Sequence, residues 1–169
     1  MVSKEDQTLR AWSRLLGAHA LVLRAIERRL RSRELPPLTW YDVLLELERA
    51  GGRLRVGDLA ERVVIERYNM TRLLDRLEAQ GLLVREKSER DRRAISVVLT
   101  QRGAQLRRRI WPHYRRAILE FFAAPLSERE AEALTRSLTK VIIHSRRESG
   151  LRDPSPTLTP CRSRRRSAS

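Results

Sequence analysis

The fold is encoded in Leu59–Thr100, which reads LAERVVIERYNMTRLLDRLEAQGLLVREKSERDRRAISVVLT. The pattern predicts a short helix, a tight turn through Ile65 and Glu66, and a second helix that stops at Gly81, because glycine readily adopts the left-handed conformation that ends helices. Two short apolar strands with a charged loop between them are typical of a β-hairpin. This order of elements predicts a winged helix-turn-helix. The expected bounds are about 57–64 and 67–80 for the helices and 82–86 and 94–99 for the strands.

The second helix has one apolar side and one polar side. Its apolar stripe consists of Met70, Leu73, Leu74 and Leu77. Such a helix fits the major groove of DNA, where arginine can pair with guanine and asparagine with adenine. An ordinary solvated helix is the alternative, but the close-packing helix before it and the arginine-rich hairpin after it favour the groove. The candidate DNA contacts on this helix are Arg67, Tyr68, Asn69, Thr71, Arg72 and Arg76.

The hairpin is strongly basic and too polar at its tip to pack on a core. We expect this tip to contact phosphates or to enter a minor groove, and Arg85 is a further cation of the hairpin. Asp91 would repel DNA unless it has an intramolecular role, such as orienting Arg93 through a bidentate pair. A surface ion pair worth less than about 1 kcal/mol is the alternative for these two residues. The candidate DNA contacts on the wing are Lys87, Arg90, Arg92 and Arg93.

Composition favours a polyanionic partner. The 169 residues suit one domain, and 36 Lys and Arg against 21 Asp and Glu give a formal net charge of +15. Such an excess attracts nucleic acid first and anionic membranes second. The sequence contains neither a signal peptide nor the roughly 18 consecutive apolar residues of a membrane span. We therefore expect a cytoplasmic protein that binds double-stranded DNA and is not bound to a membrane.

Catalytic and metal-binding patterns are missing from the sequence. The three histidines, His19, His113 and His144, are far apart and belong to no cluster of metal-ligand spacing, and there is no glycine-rich phosphate loop. We expect neither an enzyme nor a bound metal or cofactor. The lone cysteine, Cys161, is interpreted as incidental, with a thiol sensor as the alternative.

The flanking segments predict helices that pair with a second copy of the chain. From Leu9 to Leu30 apolar and amphipathic residues recur in steps of three and four, and a second stripe runs beside the first. One face could pack within the subunit and the other against a partner. Pro36 and Pro37 end this helix, and Thr39 is the expected cap of the next. A short strand is possible at Leu54–Val56.

The C-terminal part should contain two more helices and a tail. Thr100 is the expected cap of a long helix, and Ser127 with Glu130 forms a capping box that opens the last helix, which fades near Arg147. Beyond Gly150 the chain has almost nothing to bury, and we interpret residues 151–169 as a disordered basic tail.

The motifs of the central segment resemble the MarR family of bacterial transcription regulators. The resemblance rests on MTRLLDRLE at 70–78, GLLVR at 81–85, DRR at 91–93, LT at 99–100 and Gly103. It covers about residues 56–103, and the flanking helices match the family's order over about residues 5–147. This chain departs from the family pattern at the start of the recognition helix, where the family often has small residues. The chain has Glu66, Tyr68 and Asn69 at these positions, so its base preference is open.

The resemblance implies a mainly helical fold with a small β-hairpin wing. A MarR-type domain would span 1–150, with dimerisation helices at 5–35 and 101–147 and a winged helix-turn-helix lobe at 38–100. The implied function is a homodimeric DNA-binding repressor on a pseudo-palindromic operator. By the same resemblance Arg93 enters the minor groove and Asp91 orients it.

A small lipophilic or phenolic effector is also implied by the resemblance. The candidate pocket residues are Trp12, His19, Trp40 and Tyr41, for each of which ordinary core packing is the alternative. A second functional class also fits the charge, namely a winged-helix interaction module that docks acidic protein or RNA. Nonspecific binding through the basic tail is a further alternative.

Overall fold

The computed structural model describes residues 3–63, 67–87 and 95–149. It is mainly helical with a small antiparallel sheet, which confirms the predicted fold class. A π-helical turn, Leu119–Ala123, separates the last two helices and was not predicted. The elements are α1 (Lys4–Arg31), α2 (Leu38–Arg49), β1 (Arg53–Arg55), α3 (Val56–Arg62), α4 (Arg67–Ala79), β2 (Leu83–Lys87), β3 (Ile95–Leu99), α5 (Gln101–Ile118) and α6 (Glu128–Glu148).

The sheet holds the hairpin beside the first short strand. Within the described residues the strand order is β1-β3-β2, so that β3 is central and both of its neighbours run antiparallel to it. Val97 of β3 lies opposite Leu54 of β1 and Arg85 of β2. The predicted strand near Leu54 is therefore present. The first hairpin strand begins one residue later than expected, at Leu83, and the second is described from Ile95, since its expected start at Ala94 lies outside the described residues.

One cluster of buried side chains forms the core of the lobe. Leu44 and Leu47 of α2, Leu59 of α3 and Leu77 of α4 are fully buried there, and Val97 covers them from the sheet. The predicted apolar back of α4 is confirmed, since Met70 and Leu74 are also buried, although Leu73 is only partly covered. Hydrophobic burial thus anchors α4 by one side and leaves its other side for solvent or a ligand.

A second buried cluster joins α2 to the long helices. It contains Ile26 and Leu30 of α1, Tyr41 and Leu45 of α2, and Tyr114 of α5. The rings of Tyr41 and Tyr114 meet edge to face, with centroids 5.1 Å apart. Because α2 contributes to both clusters, this one helix is a wall that the lobe and the long helices share.

Polar contacts reinforce the junction at α2. Glu27 of α1 accepts the backbone N–H of Leu38 at 2.8 Å, so a side chain from another helix caps the first turn of α2. The expectation that Thr39 caps this helix was wrong, because the helix already begins at Leu38. At the other end, the buried Arg107 of α5 forms an ion pair with Glu48 of α2 at 2.6 Å.

The lobe meets α5 through a very close backbone contact. Thr100 caps α5 as predicted: its hydroxyl accepts the N–H of Gly103 at 3.1 Å and donates to the carbonyl of Gly81 at 2.8 Å. Gly81 has φ of +66°, which suits its predicted role as the stop of α4. A Cβ atom on Gly103 would lie 2.1 Å from the carbonyl oxygen of Leu82, so glycine is required there by close approach.

Large parts of α1 and α6 expose apolar side chains. In α1 the exposed residues include Trp12 and Leu16, each about half exposed or more. In α6 no residue is buried against the described parts of the chain, and Val141 is 54% exposed. The predicted capping box of Ser127 and Glu130 opens this helix. Within the described residues, no helix is long and apolar enough to cross a membrane.

Asp42 lies on α2 beside other carboxylates. Burial, followed by repulsion from Glu46 and Glu27, raises the pKa of Asp42 to about 7, and Arg49 offsets only part of this. The native state therefore holds a proton on Asp42 that the unfolded chain loses at lower pH. Between about pH 4 and pH 7 this group makes the stability fall as the pH rises, by up to about 1.4 kcal/mol per pH unit.

We predict that Asp42→Asn flattens this pH dependence. The amide keeps the shape of the protonated carboxyl and cannot ionise, so the variant should be more stable than the wild type above pH 7. Urea unfolding at several pH values and one fixed protein concentration measures the effect. Asp58→Asn, which removes an exposed carboxylate from α3, is the control. Equal slopes for Asp42→Asn and the wild type between pH 4 and pH 7 would contradict the prediction.

Candidate nucleic-acid interface

The outer side of α4 presents a compact polar surface. Asn69, Thr71, Arg72 and Arg76 are all exposed. At about 100° per residue, Asn69, Arg72 and Arg76 lie on the side of the helix away from the buried Leu74, whereas Thr71 lies outside this face. Three of the six predicted helix contacts therefore share one surface. Arg67 and Tyr68 form the first turn of α4, and their side chains lie outside the described residues. A row of donors with this chemistry can contact base edges and phosphates at once.

The helix before α4 is short and packs closely, as expected. Leu59 and Val63 are buried against the lobe core, and Ala60 is partly covered. This helix ends at Arg62, two residues earlier than predicted, and residues 64–66 lie outside the described part of the chain. The role of Glu66, a helix cap or a contact to cytosine, therefore stays a prediction.

The first wing strand, β2, lies beside α4 and leads toward the predicted tip. Lys87 ends β2, and its side chain lies outside the described residues. The remaining wing residues that were predicted to contact or orient toward DNA also lie outside them, namely Arg90, Asp91, Arg92 and Arg93. What the structure does place is the base of the wing, in which β3 pairs with β2 and β2 contacts α4.

Arg85 of β2 binds α4 through both its backbone and its side chain. Its backbone N–H donates to Glu78 Oε1 at 2.9 Å, and its Nη1 donates to Glu78 Oε2 at 2.9 Å. The same Nη1 lies 2.7 Å from Asp75 Oδ1, and Nη2 donates to the carbonyl oxygen of Thr71 at 3.3 Å. We call this set of contacts the Arg85 bridge. The sequence pattern groups Arg85 with the wing cations and does not reveal these partners.

A second ion pair lies within the sheet and does not involve α4. Arg53 of β1 and Glu86 of β2 are paired on the exposed side of the sheet. Both side chains are about half exposed, so the expected contribution to stability is at most about 1 kcal/mol.

A cavity of about 560 Å³ lies where the lobe meets the long helices. It brings apolar side chains together with two arginines from α5 and an acidic residue from the α1–α2 connection. Its walls are Glu34, Leu35, Pro36, Trp40, Gln80, Leu82, Arg102, Gln105, Leu106 and Arg109. The volume suits a small organic molecule.

The four predicted pocket residues do not converge in the single chain. Trp40 lines the cavity, whereas Tyr41 is buried against Trp111 and Tyr114. Trp12 and His19 are exposed on α1. The arginines at 102 and 109 were not predicted, although their spacing of seven residues places them on one helix face. The described ranges hold no group of three or more His, Cys, Asp or Glu that could bind a metal ion.

Comparison with known proteins agrees with this architecture. Residues 35–94 match the family model described as MarR family. An uncharacterised HTH-type transcriptional regulator of Bacillus cereus is 32% identical over 108 residues, which are 64% of this chain and 71% of that protein. Such relatives are named as transcriptional regulators and not as enzymes, in agreement with the prediction.

Solved structures share the fold over most of the chain. Sco3205 of Streptomyces coelicolor, a MarR family regulator in complex with DNA, superposes with a TM-score of 0.72 at 25% identity, covering 84% of this chain and 88% of its own. BpsR of Bordetella bronchiseptica, whose DNA binding is regulated by 6-hydroxynicotinic acid, gives 0.69 at 23% identity, covering 78% and 98%. The family match, the related sequences and the fold together establish that this chain belongs to the MarR family of transcriptional regulators.

Proposed function

We propose that the chain binds a pseudo-palindromic operator as a homodimer and represses transcription. In this proposal α4 enters the major groove and Arg93 of the wing enters the flanking minor groove, with Asp91 orienting it. The observation that carries the proposal is the exposure of Asn69, Arg72 and Arg76 on one face of a helix whose other side is buried. The DNA complex of the related Sco3205 supports it.

Most of the affinity should come from phosphate contacts. The net charge of +15 attracts DNA, and each neutralised phosphate releases counterions. If six to ten phosphates are contacted, the affinity should fall by about 10³- to 10⁵-fold between 50 and 200 mM salt. Base preference would then come from the few side chains of α4 that reach base edges.

We predict that base-reading and phosphate-binding variants behave differently. The probe is a duplex of about three helical turns, selected from a randomised library by the full-length chain. Asn69→Ala should weaken binding to this duplex by about 5- to 150-fold and relax one base position. Lys87→Ala should weaken all duplexes alike and reduce the salt slope by about one. Arg93→Ala should weaken binding without dissociating the dimer. Fluorescence anisotropy measures all three.

The matched control removes a cation far from α4. Arg136→Ala, in the exposed part of α6, should leave the selected duplex and the random duplex bound as in the wild type. If selection enriches no sequence at all, the alternative of a module that docks acidic protein or RNA gains support. If truncation after Gly150 removes all binding, nonspecific attraction by the tail accounts for it.

The homodimer is proposed from the exposed apolar faces of α1 and α6. Contiguous apolar surface on a regulator of this size is expected to be covered, because exposure to water is unfavourable. A second copy of the chain is the expected occupant, since two apolar stripes on α1 were predicted from periodicity. Dimerisation would also place two lobes on successive turns of a duplex.

We predict that a charge on the apolar stripe of α6 dissociates the dimer. Val141→Asp should shift sedimentation from dimer to monomer at micromolar concentration, because an unpaired carboxylate would be buried in the interface. The control is Arg136→Asp, on the opposite side of the same helix, which should sediment as the wild type. A monomeric wild type would refute the dimer.

The cavity at the junction is proposed as the effector site. Trp40 and Leu106 provide apolar surface, and Arg102 and Arg109 can receive an acidic group, so the expected ligand is a small phenol or aromatic carboxylate. The regulation of the related BpsR by 6-hydroxynicotinic acid supports this chemistry. Such a ligand releases DNA only if it binds the DNA-incompetent arrangement of the lobes more tightly.

We predict that Arg109→Gln desensitises the protein to such compounds. A panel of phenols and aromatic carboxylates, including 6-hydroxynicotinic acid, is titrated into the protein–duplex complex. Loss of a charged hydrogen-bond donor should raise the concentration needed for release by about 10- to 100-fold. Arg108→Gln is the control, because the side chain of Arg108 is next to Arg109 in sequence but does not line the cavity. Equal responses of both variants would reject the cavity as the site.

A further inference from the structure

We propose that Arg85 is a positioning residue for DNA binding: the Arg85 bridge sets the angle at which the wing leaves α4. This inference rests on the proposed function, in which α4 and the wing contact DNA together. It assigns to Arg85 a role in aligning these two elements rather than a contact with phosphate.

The bridge joins the two elements at both the backbone and the side chain of Arg85. Glu78 uses one carboxylate oxygen for the backbone N–H of Arg85 and the other for its guanidinium. Because β2 lies at an edge of the sheet, this N–H would otherwise lack a partner from a neighbouring strand. The guanidinium reaches one turn further along α4, to Asp75 and to the carbonyl of Thr71. Two separated points on α4 therefore restrain both the distance and the rotation of β2.

Because the bridge lies at the base of the wing, a small rotation there produces a larger displacement at the tip of the wing. Arg85 lies near the base of the wing, and β2 ends two residues later at Lys87. The five residues to Arg90 can span at most about 17 Å. Over that length, a rotation of β2 by about 10° moves a side chain by up to about 3 Å, which is the length of a hydrogen bond. A small loss of alignment at Arg85 can therefore remove a contact at the tip.

Charge gives the bridge a second effect on the same surface. Asp75 and Glu78 are carboxylates on the helix that is proposed to approach phosphates, and Asp75 is more than half exposed. The guanidinium of Arg85 contacts both of them. Without Arg85 the two carboxylates would repel DNA. Lysine could supply the charge but not the planar fork that reaches several acceptors at once.

The test is a double-mutant cycle between Arg85 and the wing, using Arg85→Gln, Arg93→Ala and the double variant in the full-length chain. The probe is the duplex selected from the randomised library. In the wild-type background Arg93→Ala should weaken binding by about tenfold or more, whereas in the Arg85→Gln background it should weaken binding by less than about twofold. The lost carboxylate neutralisation would weaken binding equally whether residue 93 is Arg or Ala, and so it cancels from the coupling.

Two variants sharpen the cycle. Arg53→Gln removes an arginine from the other ion pair of the sheet, which does not touch α4, and Arg93→Ala should keep its full effect there. Arg85→Lys should give an intermediate coupling. Additive effects of Arg85→Gln and Arg93→Ala would overturn the proposal, because a direct phosphate contact or a general loss of stability predicts additivity.

A measurement without DNA separates this inference from the proposed function. In free protein, hydrogen exchange at the amide of residue 85 should be faster in Arg85→Gln than in the wild type, while the melting temperature stays within a few degrees. Unchanged exchange would overturn the bridge whatever DNA binding shows. If Arg93→Ala binds the duplex as the wild type does, the wing contact of the proposed function fails, and the positioning role is rejected with it, even when exchange shows the bridge.

Discussion

The burial of α2 on two sides is the constraint on which the rest of the fold depends. Leu44 and Leu47 face the lobe core, whereas Tyr41 and Leu45 face the long helices. A helix is stiff over its 12 residues, so neither core can move without shifting the other. The ion pair between Arg107 and Glu48 adds a charged contact across the same boundary. The lobe is thus attached to α1 and α5 through a helix that packs against both, and not through a flexible linker.

This attachment explains how a change at the junction could reach the DNA-binding surface. The cavity lies between Leu35, Leu82 and Arg109, which belong to three segments distant in sequence. A molecule held there would contact the connection between α1 and α2, the residue before β2 (Leu82) and the first half of α5. In the proposed function, an effector bound there releases DNA by favouring the DNA-incompetent arrangement of the lobes. The same packing that stabilises the chain would then transmit the signal.

The spacing of apolar and capping residues correctly predicted the features of the fold that depend on local sequence. The buried back of α4, with Met70, Leu74 and Leu77, and the cap at Thr100 follow from the spacing of apolar residues and from hydrogen-bonding side chains at helix ends. The bounds of β2 agree with the prediction to within one residue, and β3 ends at Leu99 as predicted. Family resemblance added the arrangement of lobe and long helices, which spacing alone does not provide.

Features that join distant segments could not be predicted in the same way. The cap of α2 is Glu27, eleven residues upstream, and not the local Thr39. Arg85 was grouped with the wing cations because a sequence does not show that a strand and a helix bring it to Asp75 and Glu78. Of the four aromatic and histidine candidates only Trp40 lines the cavity, because its other walls come from elements that the fold brings together.

The close approach at Gly103 has a mechanical consequence. The first turn of α5 lies against the Leu82 carbonyl with no space for a side chain, and Thr100 ties the same turn to Gly81. A rotation of α5 at this point would force backbone atoms into each other. The start of α5 is therefore rigidly attached to the Gly81–Leu82 segment. Rotation of α5 at this contact would therefore also move the segment that leads into β2, and bending is expected further along, at Pro112 inside α5 and at the π-helical turn, where the regular hydrogen-bond ladder is interrupted.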